Sequence, residues 1–591
     1  MIRQPDTRAI SQEQLVAEVK GIYAGLVMVE SKCIEVVSTQ TSACDGPNKL
    51  NKDQWHALIA LHRTLLHEHH DFFLASQHPS ASPALRRLAA KYAMPARMWR
   101  HGIHSFLELL RHCLPDSLEH MLTFIYMAYS MMALLLETVP TFEDTWIECL
   151  GDLGRYRMAI EDDDIRDREH WASVSRHWYS RASDKSPTTG RLYHHLGILA
   201  RPNAVLQLFY YTKSLGVEIP FLSARESIMT LFDPVMSRKP NPQQGRLSPT
   251  DLNFVKVHGI LFSGKQKEEL DSARETFFRN LDNHIARSSR RWLEAAYQSG
   301  ISNICALCGY GDETNPIAVS FVTFARSSLQ SSGTATAGRD QSTSAPSTSG
   351  FPKTGMPSSE QRPEALRLFV DTYDIVCRRF GDSNILPFLH ATLVFVYHLT
   401  FCPEGMAYLA PHFPWKLTAT MLNTLLNGSV AAVSESSSVS QAGNLAKLVV
   451  TEEFPGSGRD TGNHGDAEKK DPVAAARRKR PLPDDFAMRG FPWVETYFPK
   501  DWFDIDERID DDDKYFELPS MLEERKERVV WLGGRIAARE GGKWLRFDAA
   551  TGRFGVAPEY DVDLDVDISG QMPATPADST VYDELPDVSA Q

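Results

Sequence analysis

At 591 residues the chain exceeds what one hydrophobic core usually serves, and an apolar fraction of 42% is enough for more than one. The formal net charge of -13 is unevenly placed: from Asp484 onward 26 acidic residues stand against 12 basic ones, so the body before them is near neutral. A near-neutral body excludes an overall field for non-specific nucleic-acid binding and leaves only local basic patches. Eight cysteines spread without a dense framework fit reduced intracellular thiols better than a disulfide scaffold.

The N-terminus, Met-Ile-Arg-Gln-Pro-Asp, is polar and lacks the apolar core of a signal peptide. From about Glu13 to Phe232, apolar residues recur at helical spacing with little β-branched alternation. Trp99, Phe106, Leu107, Leu110 and Leu114 form one such stripe, ended by Pro115. Met121 to Leu136 is the most apolar stretch, yet it falls short of the roughly 18 residues of a membrane span and is expected as a buried core helix. No membrane association is expected.

A proline-rich loop is expected over Pro234 to Pro249, then a second helical region from about Asp251 to Ala325 that resumes from Pro363 to Asn427. Between its halves, 327–362 is rich in Ser, Thr, Gly and Pro and cannot offset its ordering entropy by burial, so disorder is expected. A polar stretch over Ser434 to Asp471 leads to Arg477, Arg478, Lys479 and Arg480, a candidate nuclear import signal as well as an ordinary solvated run. Arg528-Val-Val-Trp-Leu, Lys543-Trp-Leu-Arg-Phe and Arg553-Phe-Gly-Val read as short strands of a small β appendage. The alternating Asp561, Asp563, Asp565 and Asp567 lack the Gly and Glu of a calcium loop and read as an acidic tail.

Tyr179, Ala182, Pro187, Tyr193, Leu196 and Gly197 meet every offset of the tetratricopeptide (TPR) pattern. In that pattern small residues let helices approach, aromatics fill the gaps, and Pro ends one helix before the next. Phe209 and Gly216 continue it, the large Phe209 being a departure. Gly151, in Leu-Gly-Asp-Leu-Gly-Arg-Tyr-Arg, begins an earlier repeat lengthened by the charged segment Glu161 to His170.

These strings, with Gly190-Arg-Leu-Tyr-His-His-Leu-Gly-Ile-Leu-Ala, Phe254-Val-Lys-Val-His-Gly-Ile-Leu-Phe, Leu482-Pro-Asp-Asp and Met488-Arg-Gly-Phe, resemble the Ever Shorter Telomeres and SMG nonsense-mediated-decay family. The resemblance implies an all-α fold, with a 14-3-3-like TPR domain over 1–235 and a helical-hairpin DNA/RNA-binding-type domain over 250–430. A linker over 431–481, a motif region over 482–557 and a tail over 558–591 would follow. It further implies a phosphopeptide pocket at Arg155 and Tyr156, with Arg157 and Arg63 as accessory groups, because guanidinium forks and a phenol match phosphate oxygens; the alternative is that they pair with Asp152 or Glu161. A nucleic-acid surface is expected at Lys265, Lys267, Arg279, Arg287, Arg290 and Arg291 beside Trp292, diluted by Glu268, Glu269, Asp271 and Glu275.

Enzyme readings find little. His67-Glu-His-His-Asp71 has Asp where the zincin motif needs its second His, and Cys305-Ala-Leu-Cys308 lacks a second ligand pair. The C-terminus has too few apolar strands and helices for the PIN nuclease domain that ends some family members, so a fungal-type member without it is expected. The expected function is a non-enzymatic, cofactor-free nuclear adaptor. Its partners would be a phosphorylated protein, such as the RNA helicase of mRNA surveillance, and RNA, single-stranded DNA or telomerase. A directly nucleic-acid-binding telomerase subunit and a TPR scaffold for an unrelated client remain the alternatives.

Overall fold

The structure, a computed structural model, describes residues 11–43, 50–237, 245, 247–321, 323, 356, 358–431, 445–456, 480–504 and 514–561. The expected disorder over 327–362 up to Ser358, most of the polar stretch, Arg477, Arg478, Lys479 and the tail beyond Asp561 lie outside the described residues.

Among the described residues the fold is all-α apart from one hairpin. Helix α1 (Gln12–Ala43) packs on α2 (Lys52–Ser76), which starts at a reciprocal cap: Gln54 N–H donates to the Asn51 side chain at 2.8 Å and the Gln54 side chain accepts from the Asn51 N–H at 2.9 Å. Short turns and a π-helical segment lead to α3 (Ser105–His112), which ends before Pro115 as its stripe predicts. Helix α4 (Leu118–Thr138) has a mean hydropathy of 1.4 and is long and apolar enough to cross a membrane. It instead buries Met121, Phe124, Ile125, Ala128, Met131, Met132 and Leu135 in an interior shared with α2 and α3, while Tyr126 and Leu134 stay exposed. That one-sided burial is the pattern of a core helix.

Helix α5 (Glu143–Ala159) serves two cores. Trp146, Leu150 and Leu153 face the first, which runs from Leu15 to Tyr156; Ile147 belongs to the second, which runs on to Phe554. One residue round the helix, Gly151 and Gly154 form a flat strip for α6 (Ile165–Lys185): a Cβ there would lie 3.0 Å from the Tyr179 ring and 3.2 Å from the Ser175 side chain. The charged segment over Glu161 to His170 supplies the Asp164 cap of α6 and its exposed first turns. Helices α7 (Gly190–Leu199) and α8 (Ala204–Gly216) repeat the arrangement, with Gly197 against Tyr211. Tyr179, Ala182, Tyr193, Leu196 and Phe209 are all buried, and the Tyr193 hydroxyl donates to the Pro187 carbonyl at 2.9 Å.

The stack continues through α9 (Met229–Met236), α10 (Pro249–Ser263), α11 (Leu270–Ser288), α12 (Trp292–Leu307), α13 (Ser358–Cys377), α14 (Leu386–Leu399) and α15 (Trp415–Ala431). Helix α14 is buried on nearly all sides, wedged among α12, α16 (Pro483–Met488) and α17 (Pro519–Ala537). Strands β1 (Leu545–Asp548) and β2 (Arg553–Val556) form an antiparallel hairpin with Leu545 opposite Val556. It is tied to α15 by the Asn423 amide, which accepts from the Phe554 N–H at 2.8 Å and donates to its carbonyl at 2.9 Å.

Three expectations are corrected. Arg528 to Leu532 is not a strand but part of α17, because Met521, Arg525, Val529, Leu532 and Ile536 repeat at helical spacing and face the core, overriding the β preference of Val529 and Val530. The second helical region resumes at Ser358, with Pro363 inside α13, and Pro234 lies inside α9 rather than in the following loop.

Candidate phosphate site and nucleic-acid interface

The glycine strip of α5 turns Asp152, Arg155 and Tyr156 toward neighbouring helices, and each finds an internal partner. Arg155 Nη2 donates to Asp152 Oδ1 at 3.1 Å and its Nε to the Tyr179 hydroxyl at 3.4 Å. Tyr179 in turn donates to Asp152 Oδ1 at 2.5 Å. Burial opposes the Arg155 charge, but Tyr179 and Asp152 more than offset it and hold its pKa above the ordinary value. The Tyr156 hydroxyl donates to Glu108 of α3 at 2.8 Å, and burial together with that carboxylate raises its pKa. Arg157 Nη1 donates to Glu161 at 2.6 Å. Arg63 lies exposed on α2, and no hydrogen bond or ion pair among the described residues links it to the α5 groups. A phosphate arriving here meets three carboxylates, Asp152, Glu108 and Glu161, already in place.

The candidate nucleic-acid residues divide. Lys265 lies 3.8 Å from Asp233, and Lys267 is paired with Glu360. Arg279, Arg287, Arg290 and Arg291 are exposed along α11 and the turn into α12, without an ion pair among the described residues. Trp292 is buried as a core anchor and offers no stacking face. Several acids that dilute this segment in sequence are engaged elsewhere: Asp271 with the buried Arg274, Glu269 with Lys256 at 2.6 Å, and Asp282 with Arg379 at 2.5 Å. The charge left over on this face is therefore more positive than the linear sequence suggests.

Neither metal candidate assembles. His69 is fully buried beside Phe73; burial, then Arg97 and His101, push its pKa down to about 3. Burial pushes the Cys305 thiol up to about 12. Among the described residues, the group with metal-ligand spacing is His390, Asp484 and Asp485, unnoticed in sequence. It is already neutralised: Asp484 meets His390 Nδ1 on one oxygen and Arg525 Nε at 2.7 Å on the other, and Arg528 stands 4.0 Å from Asp485. Burial raises the Asp484 carboxyl, but Arg525 and His390 outweigh it and hold the group well below the usual range. Two guanidinium groups oppose a further cation, so this is an ionic lock joining α14, α16 and α17.

Residues 175–329, from within α6 past α12, match the family model of the Est1 DNA/RNA-binding domain. The chain is similar to EST/SMG-like protein 2 of Saccharomyces cerevisiae, 22% identical over 247 residues. It is also similar to the telomerase-binding protein EST1A of Danio rerio, 33% identical over 101 residues. These matches are to members of the Ever Shorter Telomeres/SMG family, which the chain resembles. These alignments cover 40% and 17% of the chain but only 20% and 6% of the two relatives, so the family likeness is confined to a part of each. A chain in the crystal structure of Est1 and Cdc13 aligns with 92% of the chain and 99% of its own length, at a TM-score of 0.43 and 11% identity. The four exposed arginines, like Lys265 and Lys267, fall inside the segment matched to the Est1 DNA/RNA-binding domain.

Proposed function

We propose that this chain is a non-catalytic adaptor that binds single-stranded RNA or DNA on the arginine face of α11, in telomere maintenance or nonsense-mediated mRNA decay. One observation carries the reading: Arg279, Arg287, Arg290 and Arg291 are exposed, and form no ion pair among the described residues, within the segment matched to the Est1 DNA/RNA-binding domain. Unpaired surface arginines are free to replace counterions on a phosphate backbone, which gives affinity with a steep salt dependence. The test is fluorescence anisotropy of labelled single-stranded RNA and DNA across a salt series. Binding that weakens with salt, and that Arg287→Glu/Arg290→Glu/Arg291→Glu removes, supports the interface; binding unchanged in that variant refutes it.

A second role is contact with a phosphorylated partner at Arg155, Tyr156 and Arg157, supported by the charge that Asp152 and Tyr179 preserve on Arg155. A phosphate there replaces Asp152 as the acceptor of Arg155. Phosphoserine-peptide binding lost in Arg155→Glu with helical content intact is the expected result; unchanged affinity removes the role. The fitting partners are the helicase of mRNA surveillance and a telomerase component, the latter suggested by the name of the Danio rerio relative. Nuclear import through Arg477 to Arg480 is tested by fusing residues 470–485 to a fluorescent reporter, which should then accumulate in nuclei.

A further inference from the structure

Between α6, α7 and α8 on one side and α12 on the other lies a cavity of about 460 Å³, closed above by Phe486, Arg489 and Tyr515. That size is typical of small-molecule pockets and too small for a helix roughly 10 Å across. Its walls are aromatic, with Tyr193, Phe209, Tyr210 and Tyr297 all lining it. The roof is pinned by the buried Lys213, whose ammonium donates to the carbonyls of Phe486 at 3.2 Å and Ala487 at 2.7 Å while resting 4.3 Å from the centre of the Tyr193 ring.

Two features point to a polar guest. Gln298 is only 4% exposed, lines the cavity, and its side-chain amide makes no hydrogen bond among the described residues. Glu294, exposed on its outer side, lines the same space one helical turn earlier on α12; partial desolvation, then Glu517, raises its carboxyl pKa. The mouth carries Arg176 and Arg201, both exposed, which donate to the Leu199 carbonyl at 3.5 Å and the Thr230 hydroxyl at 3.1 Å. Neither has an ion-pair partner among the described residues. The other acid in the lining, Asp184, is paired with Lys514. An aromatic slot lined by the Gln298 amide, with guanidinium groups at its lip that form no ion pair among the described residues, suits a flat, hydrogen-bonding ring attached to an anionic chain.

We propose that this cavity receives one unstacked base of a single-stranded RNA or DNA, held between the tyrosines and read at its edge by Gln298 and Glu294, with flanking phosphates on Arg176 and Arg201. The proposal rests on the nucleic-acid reading of the α11 face and adds a second, base-contacting site to it. Most of the lining, from Arg176 to Gln298, falls within the segment matched to the DNA/RNA-binding domain.

The test uses the full chain and fluorescein-labelled single-stranded oligonucleotides of uniform base, in RNA and DNA form, with circular dichroism confirming the fold of each variant. Arg176→Glu/Arg201→Glu, at exposed positions, should weaken binding of every sequence about tenfold or more and lower the salt slope by roughly two. Gln298→Leu should narrow the spread of affinities among the four bases by about tenfold while leaving the salt slope alone. Oligonucleotides carrying 4-thiouridine should crosslink to peptides containing Tyr210 or Tyr297. If these variants bind as wild type while Arg287→Glu/Arg290→Glu/Arg291→Glu loses binding, the cavity proposal falls and the α11 interface stands. If the wild-type chain binds no oligonucleotide at low salt, both fall. A phosphoserine peptide that binds instead, and is lost in Arg176→Glu/Arg201→Glu, assigns the cavity to a protein ligand and overturns the proposal.

Discussion

Helices α5 and α11 both carry arginines singled out in the sequence, yet the fold treats them in opposite ways. On α5, Arg155 and Arg157 are each within 3.1 Å of a carboxylate, and Tyr156 is engaged by Glu108. On α11 and its turn, Arg279, Arg287, Arg290 and Arg291 are exposed and have no counter-charge among the described residues, while nearby acids are drawn off to Arg274, Lys256 and Arg379. The difference teaches that a charged residue is informative about binding only once its partners are known. A paired arginine in a half-buried site stabilises the stack; an unpaired exposed one contributes little to stability and is available to a ligand.

The strongest way to sharpen this contrast is at the extreme of pairing. Asp484→Ala removes the buried acceptor of His390 Nδ1 and of Arg525 Nε, leaving Arg525 to Glu517 alone, and should cost about 3 kcal/mol in denaturant unfolding, with both groups 0% exposed. The same pair predicts acid sensitivity. The folded pKa of Asp484 is depressed below its unfolded value of about 3.9, so its stabilisation is complete above that value and is lost as pH falls toward the folded pKa. The expected observation is that Asp484→Asn lowers the midpoint at pH 7 more than at pH 3.

Next comes the α11 face, where Arg287→Glu/Arg290→Glu/Arg291→Glu should lower oligonucleotide affinity roughly thirtyfold or more at low salt and leave the melting temperature nearly unchanged. A large loss of stability would mean these arginines are paired after all and would erase the contrast. On α5, Asp152→Ala should do the reverse: about 1–2 kcal/mol of stability lost, because Arg155 and the Tyr179 hydroxyl lose a half-buried acceptor, with oligonucleotide affinity kept.

The last test is a pH slope. Burial, then Arg489, lower the Lys213 pKa to about 7. Between that value and the unfolded value of about 10.4 the unfolded chain binds more protons than the folded one, so this group makes stability rise with pH across the window. Lys213→Met should flatten the rise, as read from urea midpoints at pH 7 and pH 9.5; an unchanged slope would show that Lys213 titrates normally.

Much of the architecture was legible because it rests on local spacing. Tyr179, Ala182, Tyr193 and Gly197 lie at fixed offsets, and each is buried at a helix contact where only a small residue or a ring fits. The hairpin of Leu545–Asp548 and Arg553–Val556 was legible from its Gly-containing turn. Arg528 to Leu532 misled because β-branched residues weigh toward strands in isolation, and only the face that α17 turns to the core decides otherwise. The candidate site was legible as a set of residue types but not as a set of pairs. Leu482-Pro-Asp-Asp stood out as a motif, yet nothing near it announces His390, some ninety residues earlier, or Arg525, some forty later.

The sequence by itself determined the helical period, the places where helices must approach closely, and the supply of arginines in the segment matched to the DNA/RNA-binding domain, since all of these depend on residues a few positions apart. Only the tertiary structure decided which charges are neutralised. Asp282 goes to Arg379, Asp484 to Arg525 and the Lys213 ammonium to the carbonyls of Phe486 and Ala487. Electrostatic partners act over a few ångströms in space regardless of their distance along the chain, so the exposed arginines of α11 and the cavity beside α12 appear only when the stack is assembled.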